Sequence, residues 1–293
     1  LPLLTILCIV FGTSIVAQEP SNSTQNGFQI CKALFPEWSE FNDNYCYTPN
    51  PGFERFILIG DSHAGHLRSG MEQLGLGPIA VFPASCAAPF LYLSTGVTDP
   101  KIIKIRQNNY LLINKAFEYA LDLKSADTII LAHNPNCSRN SAFDMLYEKD
   151  VGVKKPNPNY LDALERSISR TFKILSQYDK QIIVVLDNPT LPYDPKKCLR
   201  RIGLADLDHD PCFYPLEKHR NSPSIKPYNE IIEQSASKFE NIKVFDAASA
   251  LCNYENCNLL VENKLVWKDN SHMSETGSFL IVRELMKMFD ANK

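Results

Sequence analysis

The chain has 293 residues, of which 44% are hydrophobic and 22% are charged, and its formal net charge is −3. This length and apolar content are sufficient for one large α/β domain with a buried core. A nucleic-acid-binding protein normally carries a basic face, so the slightly acidic balance argues against a nucleic-acid partner. The sequence also lacks a Walker loop and a Gly-x-Gly-x-x-Gly motif, so neither nucleotide-binding pattern is present.

Residues 1–17 form an apolar segment without a charge, and the chain turns abruptly polar over residues 18–27. Such a boundary indicates a membrane segment that meets water. The segment is slightly short for a full span of about 20 residues, and it starts without Met or a basic stretch. Two interpretations stay open: the truncated last transmembrane helix of a larger membrane protein, or the apolar part of a signal peptide that is cleaved after Ala17.

Apolar runs rich in β-branched residues alternate with segments of helical periodicity along the rest of the chain. We predict strands near residues 55–60, 79–82, 127–132, 181–187 and 242–246, and helices near residues 63–74, 105–124, 159–178, 226–238 and 274–289. This alternation predicts an α/β fold, a three-layer α/β/α sandwich with a central parallel sheet. Ligands of such sheets bind at the carboxyl ends of the strands, so polar residues there are candidates for a site. The polar residues that follow predicted strands include Ser62, Ser85, Asn134 and Asn188.

The first of these residues lies in the tetrapeptide Gly60-Asp61-Ser62-His63, directly after the apolar run of residues 56–59. A helical pattern follows at once, so Ser62 is expected on a sharp strand-to-helix turn where Gly60 permits a tight backbone. The first amides of that helix could face a developing oxyanion. The tetrapeptide alone is equally compatible with a nucleophilic Ser62 and with a Ser62 that only caps the helix.

A second polar block, Asp269-Asn270-Ser271-His272, precedes the last predicted helix. A serine hydroxyl needs a neighbouring base to take its proton and a third group to orient that base. His272 would be the base, and Asp269 would accept a hydrogen bond from its other ring nitrogen. Taken alone, the pair could be a helix-start Asp beside a surface His. Together with Ser62, and in this order, the pair is better explained as catalytic.

The two blocks resemble the SGNH/GDSL hydrolase superfamily, whose nucleophile follows the first strand and whose Asp-x-x-His precedes the last helix. The variant Gly-Asp-Ser-His-Ala at residues 60–64, with His272-Met273-Ser274, is more similar to one branch of it. That branch is the extracytoplasmic SGNH domain fused to the membrane acyltransferase-3 (AT3) family, whose members O-acylate cell-surface carbohydrates. Residues 185–189 and 241–246 fit the same branch, so the resemblance covers roughly residues 52–290.

This resemblance implies a flavodoxin-like SGNH hydrolase fold and a division of the chain into three parts. Residues 1–17 would be a transmembrane segment, residues 18–51 an extracytoplasmic linker and N-terminal extension, and residues 52–293 the SGNH domain. The implied activity is carbohydrate O-acyl transfer, in particular O-acetyl transfer to a cell-surface glycan, through a Ser62 acyl-enzyme. The implied partners are an AT3 membrane domain upstream in the same polypeptide, an acyl donor and a carbohydrate acceptor. The domain would be membrane-anchored and would face the periplasm or the cell exterior.

The sequence departs from the superfamily pattern at the oxyanion hole, for which the superfamily supplies a Gly after the second strand and an Asn after the third. Here the second strand is followed by Pro83-Ala84-Ser85-Cys86, without a glycine, and the third by His133-Asn134-Pro135. Asn134 is placed to donate its side-chain amide, and the turn at Ser85 could offer a backbone amide. An Asn beside Pro is also a common turn former. Asn134 and Ser85 are therefore oxyanion candidates.

Nine cysteines are present, and only Cys8 lies within the apolar segment. The other eight form an even set, which suits disulfides and an oxidising compartment, with free thiols as the alternative. Local spacing suggests three pairs and leaves a fourth: Cys31 with Cys46, Cys198 with Cys212, Cys252 with Cys257, and Cys86 with Cys137. His63 and His66 are not accompanied by ligands at a recognised zinc spacing, so we expect no metal and no cofactor.

Two other functions stay open from the sequence. The same three residues with water as the acceptor would make a carbohydrate acetylesterase, because water and a sugar hydroxyl need the same base. A catalytically idle glycan-binding module on a membrane anchor is the third possibility, and it draws on the missing oxyanion glycine.

Overall fold

The computed structural model describes residues 21–36, 46–96, 100–139, 145–148, 160–199 and 212–290. The helices are α1 (Ser21–Leu34), α2 (Ser62–Gln73), α3 (Pro100–Asp122), α4 (Pro135–Arg139), α5 (Tyr160–Leu175), α6 (Lys196–Leu199), α7 (Leu216–Arg220), α8 (Ile225–Ala236), α9 (Ala247–Leu251) and α10 (Glu275–Asp290). The strands are β1 (Phe56–Gly60), β2 (Ile79–Pro83), β3 (Leu93–Gly96), β4 (Thr128–Ala132), β5 (Met145–Glu148), β6 (Gln181–Leu186), β7 (Phe213–Pro215), β8 (Ile242–Asp246), β9 (Asn256–Asn258), β10 (Leu260–Val261) and β11 (Lys264–Leu265).

A five-stranded parallel sheet in the order β2-β1-β4-β6-β8 forms the centre of the molecule. Each of its strands coincides with a predicted strand, and each of the five predicted helices is present as α2, α3, α5, α8 or α10. The predicted α/β fold with a central parallel sheet is therefore confirmed. The short antiparallel pairs β3-β5 and β7-β9 were not predicted from the sequence. β10 and β11 form a third such pair.

Side chains that alternate along the strands build two separate cores, one on each face of the sheet. Ile57 and Ile59 of β1 belong to the core that includes buried residues of α3, α5 and α8. Phe56 and Leu58 belong to the opposite core, which includes buried residues of α2, α9 and α10. Because adjacent residues of a strand point to opposite faces, a continuous apolar run is what a strand between two helical layers requires.

Helices α2 and α10 approach each other closely at Gly70. The backbone N–H of Gly70 donates to Ser278 Oγ at 2.7 Å, and a Cβ added at Gly70 would lie 2.4 Å from the Ser278 carbonyl oxygen. Both residues are buried. A side chain at position 70 would therefore push apart the two helices that flank the polar blocks at Ser62 and His272.

The described part of the N-terminal extension packs onto the edge of the sheet. Tyr47 forms an antiparallel bridge with Val81 of β2, with both N–H···O distances at 2.8 Å. No helix in the described ranges is long and apolar enough to cross a membrane. The proposed transmembrane segment, residues 1–17, lies outside the described residues, so it and the boundary at residues 51–52 stay predictions.

The eight cysteines outside the apolar segment form four disulfides in the structure. The pairs are Cys31–Cys46, Cys86–Cys137, Cys198–Cys212 and Cys252–Cys257, as the spacing suggested. Of these, Cys86–Cys137 joins the turn after β2 to α4, which follows β4. A turn and a short helix at the carboxyl edge of the sheet are thereby covalently tied.

Replacing Gly70 by Ala should lower the free energy of unfolding by about 1–3 kcal/mol, because the new methyl group would overlap the backbone atoms of Ser278. Urea unfolding of the variant measures this loss. Gly65→Ala on the same helix is the matched control, since its nearest contact would be Pro83 Cβ at 3.3 Å. The control should change stability by less than about 1 kcal/mol, and an equal loss in both variants would contradict the packing argument.

Candidate active site

Ser62 is the first residue of α2 and is exposed at the carboxyl edge of the sheet. The cap of this helix is Asp61, whose Oδ1 accepts the His63 N–H at 2.8 Å. The alternative in which Ser62 only caps the helix is therefore wrong. The Ser62 hydroxyl is free for another partner, and its backbone N–H has no acceptor within the described part of the chain.

The Asp61 side chain joins the backbone after Ser62 to the loop after β4. It is 1% exposed, and its Oδ2 accepts the backbone N–H of Asn134 at 3.0 Å. Beneath it, β1 and β4 run side by side, and a Cβ at Gly60 would lie 1.7 Å from the Ala132 carbonyl oxygen. The turn that carries Ser62 is thus held against the loop after β4, which carries Asn134.

The structure brings Ser62, His272 and Asp269 into one hydrogen-bonded row. Ser62 Oγ lies 2.7 Å from His272 Nε2, and His272 Nδ1 lies 2.8 Å from Asp269 Oδ2. Asp269 Oδ1 also accepts the backbone N–H groups of Ser271 at 2.9 Å and His272 at 2.8 Å. Burial acts against the charge on Asp269, but the N–H donors of His272 and Ser271 outweigh it and lower the pKa of this carboxyl. Asp269 is therefore an anion suited to orient the imidazole.

The loop after β6 holds the second polar block in place. Asn188 Nδ2 donates to the Ser271 carbonyl oxygen at 2.8 Å, and the Leu191 N–H donates to the Asn270 carbonyl oxygen at 2.7 Å. The indole N–H of Trp267, which is fully buried, donates to the Pro189 carbonyl oxygen at 2.9 Å. Asn188 thus follows a strand as expected, but its amide supports the backbone of this block.

Both oxyanion candidates lie after strands at the same edge of the sheet. Asn134 Oδ1 accepts the Asn136 N–H at 3.0 Å, and Asn134 Nδ2 lies 3.2 Å from His63 Nε2. These contacts leave one N–H of the Asn134 amide for a further acceptor. Ser85 is exposed, and its carbonyl oxygen accepts from Asn109 Nδ2 at 2.5 Å. The role of either residue as an oxyanion donor stays a prediction.

Sequence reasoning missed a second Asp–His pair, formed by Asp187 and His63. His63 is 3% exposed, and its Nδ1 lies 2.5 Å from Asp187 Oδ1. Burial alone would lower the pKa of His63, whereas the Asp187 carboxylate acts strongly in the opposite direction and raises it. The available signal was the position of Asp187 directly after β6, the same signal that singled out Asn134 after β4.

Two further imidazoles line the inner side of the site and are held neutral. Burial, followed by the neighbouring His63 and His272, holds the pKa of His66 well below its ordinary value. Burial also lowers the pKa of His133. The ring centroid of His63 lies 4.9 Å from that of His66 and 5.3 Å from that of His272. Among the described residues, no three His, Cys, Asp or Glu side chains are grouped as a metal site.

The central parallel sheet, the serine on the turn after β1 and the Asp-x-x-His block before the last described helix define a domain with the SGNH hydrolase fold. The chain belongs to the family of SGNH domains fused to AT3 domains, whose model matches residues 31–287. No curated protein matches the chain.

Solved structures with a similar fold include the periplasmic domain of a lipopolysaccharide acetyltransferase from Salmonella ser. Paratyphi A. It is 19% identical, with a TM-score of 0.57, and the match covers 82% of this chain and 85% of that one. An acetylxylan esterase from Geobacillus stearothermophilus is 14% identical, with a TM-score of 0.41, over 80% of this chain and 93% of that one. At these identities the comparison with the Salmonella domain supports the fold, and the weaker match adds nothing to it.

Replacing Asp61 by Asn should lower the free energy of unfolding by about 1–3 kcal/mol, because an amide has one acceptor oxygen for two N–H groups, of which one is buried and the other partly buried. Asp246→Asn is the matched control, since Asp246 caps α9 through the Ala248 N–H and its second oxygen contacts the exposed Arg220. Urea unfolding of both variants measures the difference. A loss at position 246 as large as that at position 61 would contradict the special role of Asp61.

Proposed function

We propose that this chain is an extracytoplasmic carbohydrate O-acyltransferase that works through a Ser62 acyl-enzyme. The observation that carries the proposal is the row Ser62–His272–Asp269, with 2.7 Å between the serine oxygen and the imidazole nitrogen. A nucleophile, a base and an orienting carboxylate in contact are the minimum required for acyl transfer through serine. A glycan-binding module does not require a nucleophile, a base and a carboxylate in contact, so the geometry argues against a catalytically idle domain.

In the first half-reaction, Ser62 Oγ attacks the carbonyl carbon of an acyl ester while its proton passes to His272 Nε2. Asp269 stabilises the imidazolium that forms, because its carboxylate contacts His272 Nδ1. The tetrahedral intermediate then collapses. The bond between the carbonyl carbon and the leaving oxygen breaks, and the leaving group takes the proton from His272 Nε2.

In the second half-reaction, a carbohydrate hydroxyl gives its proton to His272 and attacks the Ser62 ester. Collapse of the second tetrahedral intermediate breaks the bond to Ser62 Oγ, which recovers the proton from His272. The developing negative charge in both steps needs preorganised donors. We assign this role to the backbone N–H of Ser62 and the remaining N–H of Asn134, with the turn at Ser85 as a further candidate.

The compartment and partners of the proposed reaction follow from independent features. Four disulfides suit an oxidising compartment, which supports a location outside the cytosol. The family is named for its fusion to AT3 domains, so we propose such a membrane domain as the source of the acyl group. Residues 1–17 would then be the anchor, and the SGNH domain would extend from residue 52 to residue 293.

A carbohydrate acetylesterase is the second candidate, and one observation favours it. Ser62 is exposed, so water can reach an acyl group bound to its oxygen. Transfer therefore requires that a bound acceptor hydroxyl outcompete water for the same base.

Ser62→Ala should lower the rate of 4-nitrophenyl acetate cleavage by more than about 10³-fold, because the nucleophile is lost. Ser69→Ala is the matched control, since it removes a half-buried hydroxyl from the same helix. We expect the control to keep nearly full activity. Intact-mass analysis should detect an acetyl adduct on the wild-type protein and on the control, but not on Ser62→Ala. Unchanged cleavage of 4-nitrophenyl acetate by Ser62→Ala would contradict the acyl-enzyme mechanism.

The partition of the acetyl group between water and glycan distinguishes the transferase from the esterase. The wild-type chain is given 4-nitrophenyl acetate with and without a series of cell-surface polysaccharides, and free acetate and glycan-bound acetyl are measured. A transferase should form acetylated glycan while the yield of free acetate falls. Free acetate that is unaffected by every glycan would overturn the transferase and favour the esterase.

A further inference from the structure

The Asp187–His63 pair lies directly beneath the Ser62 turn and takes no part in the proton transfers described above. Its contacts continue beyond the imidazole ring. His63 Nδ1 meets Asp187 Oδ1 at 2.5 Å, and His63 Nε2 meets Asn134 Nδ2 at 3.2 Å. The three side chains form a continuous row that ends on the candidate oxyanion donor.

The orientation of the Asn134 amide follows from a backbone group. The Asn136 N–H can only donate, so the side of the amide that faces it at 3.0 Å is Oδ1. Asn136 is itself held in place, because its Nδ2 donates to Thr190 Oγ1 at 3.2 Å and its Oδ1 accepts from Ser224 Oγ. The NH₂ group of Asn134 therefore faces His63, and His63 Nε2 must accept from it.

An accepting Nε2 requires a neutral His63 whose single proton is on Nδ1. Asp187 selects this tautomer, because its carboxylate can only accept from Nδ1. The same carboxylate raises the pKa of His63 to about 9 against the effect of burial and so favours a second proton on the ring. A proton on Nε2 would, however, face the Asn134 NH₂ group across 3.2 Å, which would place two donors together without an acceptor. The geometry therefore keeps Nε2 unprotonated. The backbone of Asp187 is fixed in turn, since its carbonyl oxygen accepts from His219 Nε2 at 3.1 Å.

We propose that Asp187 and His63 are positioning residues that aim the second N–H of Asn134 at the reacting carbonyl oxygen. An amide group is planar, so fixing one N–H on His63 and the oxygen on Asn136 fixes the direction of the other N–H. A donor that is already aimed stabilises the oxyanion without reorganising during the reaction. This inference rests on the proposed function, because it needs an oxyanion that forms at Ser62.

Two substitutions at His63 separate its two hydrogen bonds. His63→Asn places an N–H near the former Nδ1, so it keeps a partner for Asp187 and loses the acceptor for Asn134. His63→Gln reaches the former Nε2 with an amide oxygen and keeps an acceptor for Asn134. In the full chain, purified in detergent and assayed with 4-nitrophenyl acetate, His63→Asn should lower kcat by about 10-fold or more, with KM little changed, whereas His63→Gln should retain most of kcat. Equal losses in both variants would overturn the proposal.

A double-mutant cycle with Asn134→Ala tests whether His63 acts through Asn134. Asn134→Ala alone should lower kcat by about 10²-fold, the typical effect of removing one oxyanion donor. Adding His63→Asn to Asn134→Ala should cause little further loss, whereas independent, multiplying losses would overturn the proposal. If His63→Asn does not fold, as judged by urea unfolding, the isosteric Asp187→Asn takes its place in the cycle with the same two outcomes.

The protonation of His63 gives a readout that does not depend on activity. In protein labelled with ¹⁵N-histidine, the His63 ring at neutral pH should show one protonated nitrogen, Nδ1, and one unprotonated nitrogen, Nε2. The His63→Gln spectrum assigns the signals. A doubly protonated ring would overturn the inference and leave the Ser62 mechanism intact, whereas full activity of Ser62→Ala would overturn the mechanism on which the inference rests.

Discussion

The close contact of α2 with α10 is the constraint on which the rest of the site depends. Ser62 begins one of these helices, and the block that contains Asp269 and His272 leads into the other. The absence of a side chain at Gly70 lets the Ser278 hydroxyl reach the backbone of α2. A hydrogen bond between a serine and an imidazole tolerates only a few tenths of an ångström, so the spacing of two packed helices decides whether the row can form.

Around that row the site has two Asp–His pairs with different environments. Asp269 and His272 lie partly open to solvent, where a proton can be exchanged with a substrate. Asp187 and His63 are almost fully buried, where a fixed hydrogen-bond pattern is more useful than proton exchange. In the proposed mechanism the same two residue types would therefore serve proton transfer at the surface and orientation beneath it, and their burial differs accordingly.

How much of the fold and of the site the sequence predicted depends on the distance along the chain between the residues that form each pattern. The five strands of the sheet and their helices were predictable because a parallel strand between two helical layers is a continuous apolar run, as in residues 56–59. The order of Ser62, Asp269 and His272 was readable because both blocks match a known pattern. Asp187 was missed because its position directly after β6 does not reveal its partner, His63, which is 124 positions away. The short strands β3 and β5 were missed because they are too brief for a periodic signal.

The separation of Ser62 and His272 along the chain also has a consequence for biosynthesis. The two residues that share the critical hydrogen bond are 210 positions apart, and β4, β6 and β8 lie between them in sequence. A growing polypeptide therefore contains Ser62 long before His272 has been made. Under the proposed mechanism, Ser62 would remain an ordinary alcohol until the final block has been synthesised and α10 has docked, because its base would be absent. The proposed reactivity would therefore require the C-terminal block as well as the N-terminal half of the domain.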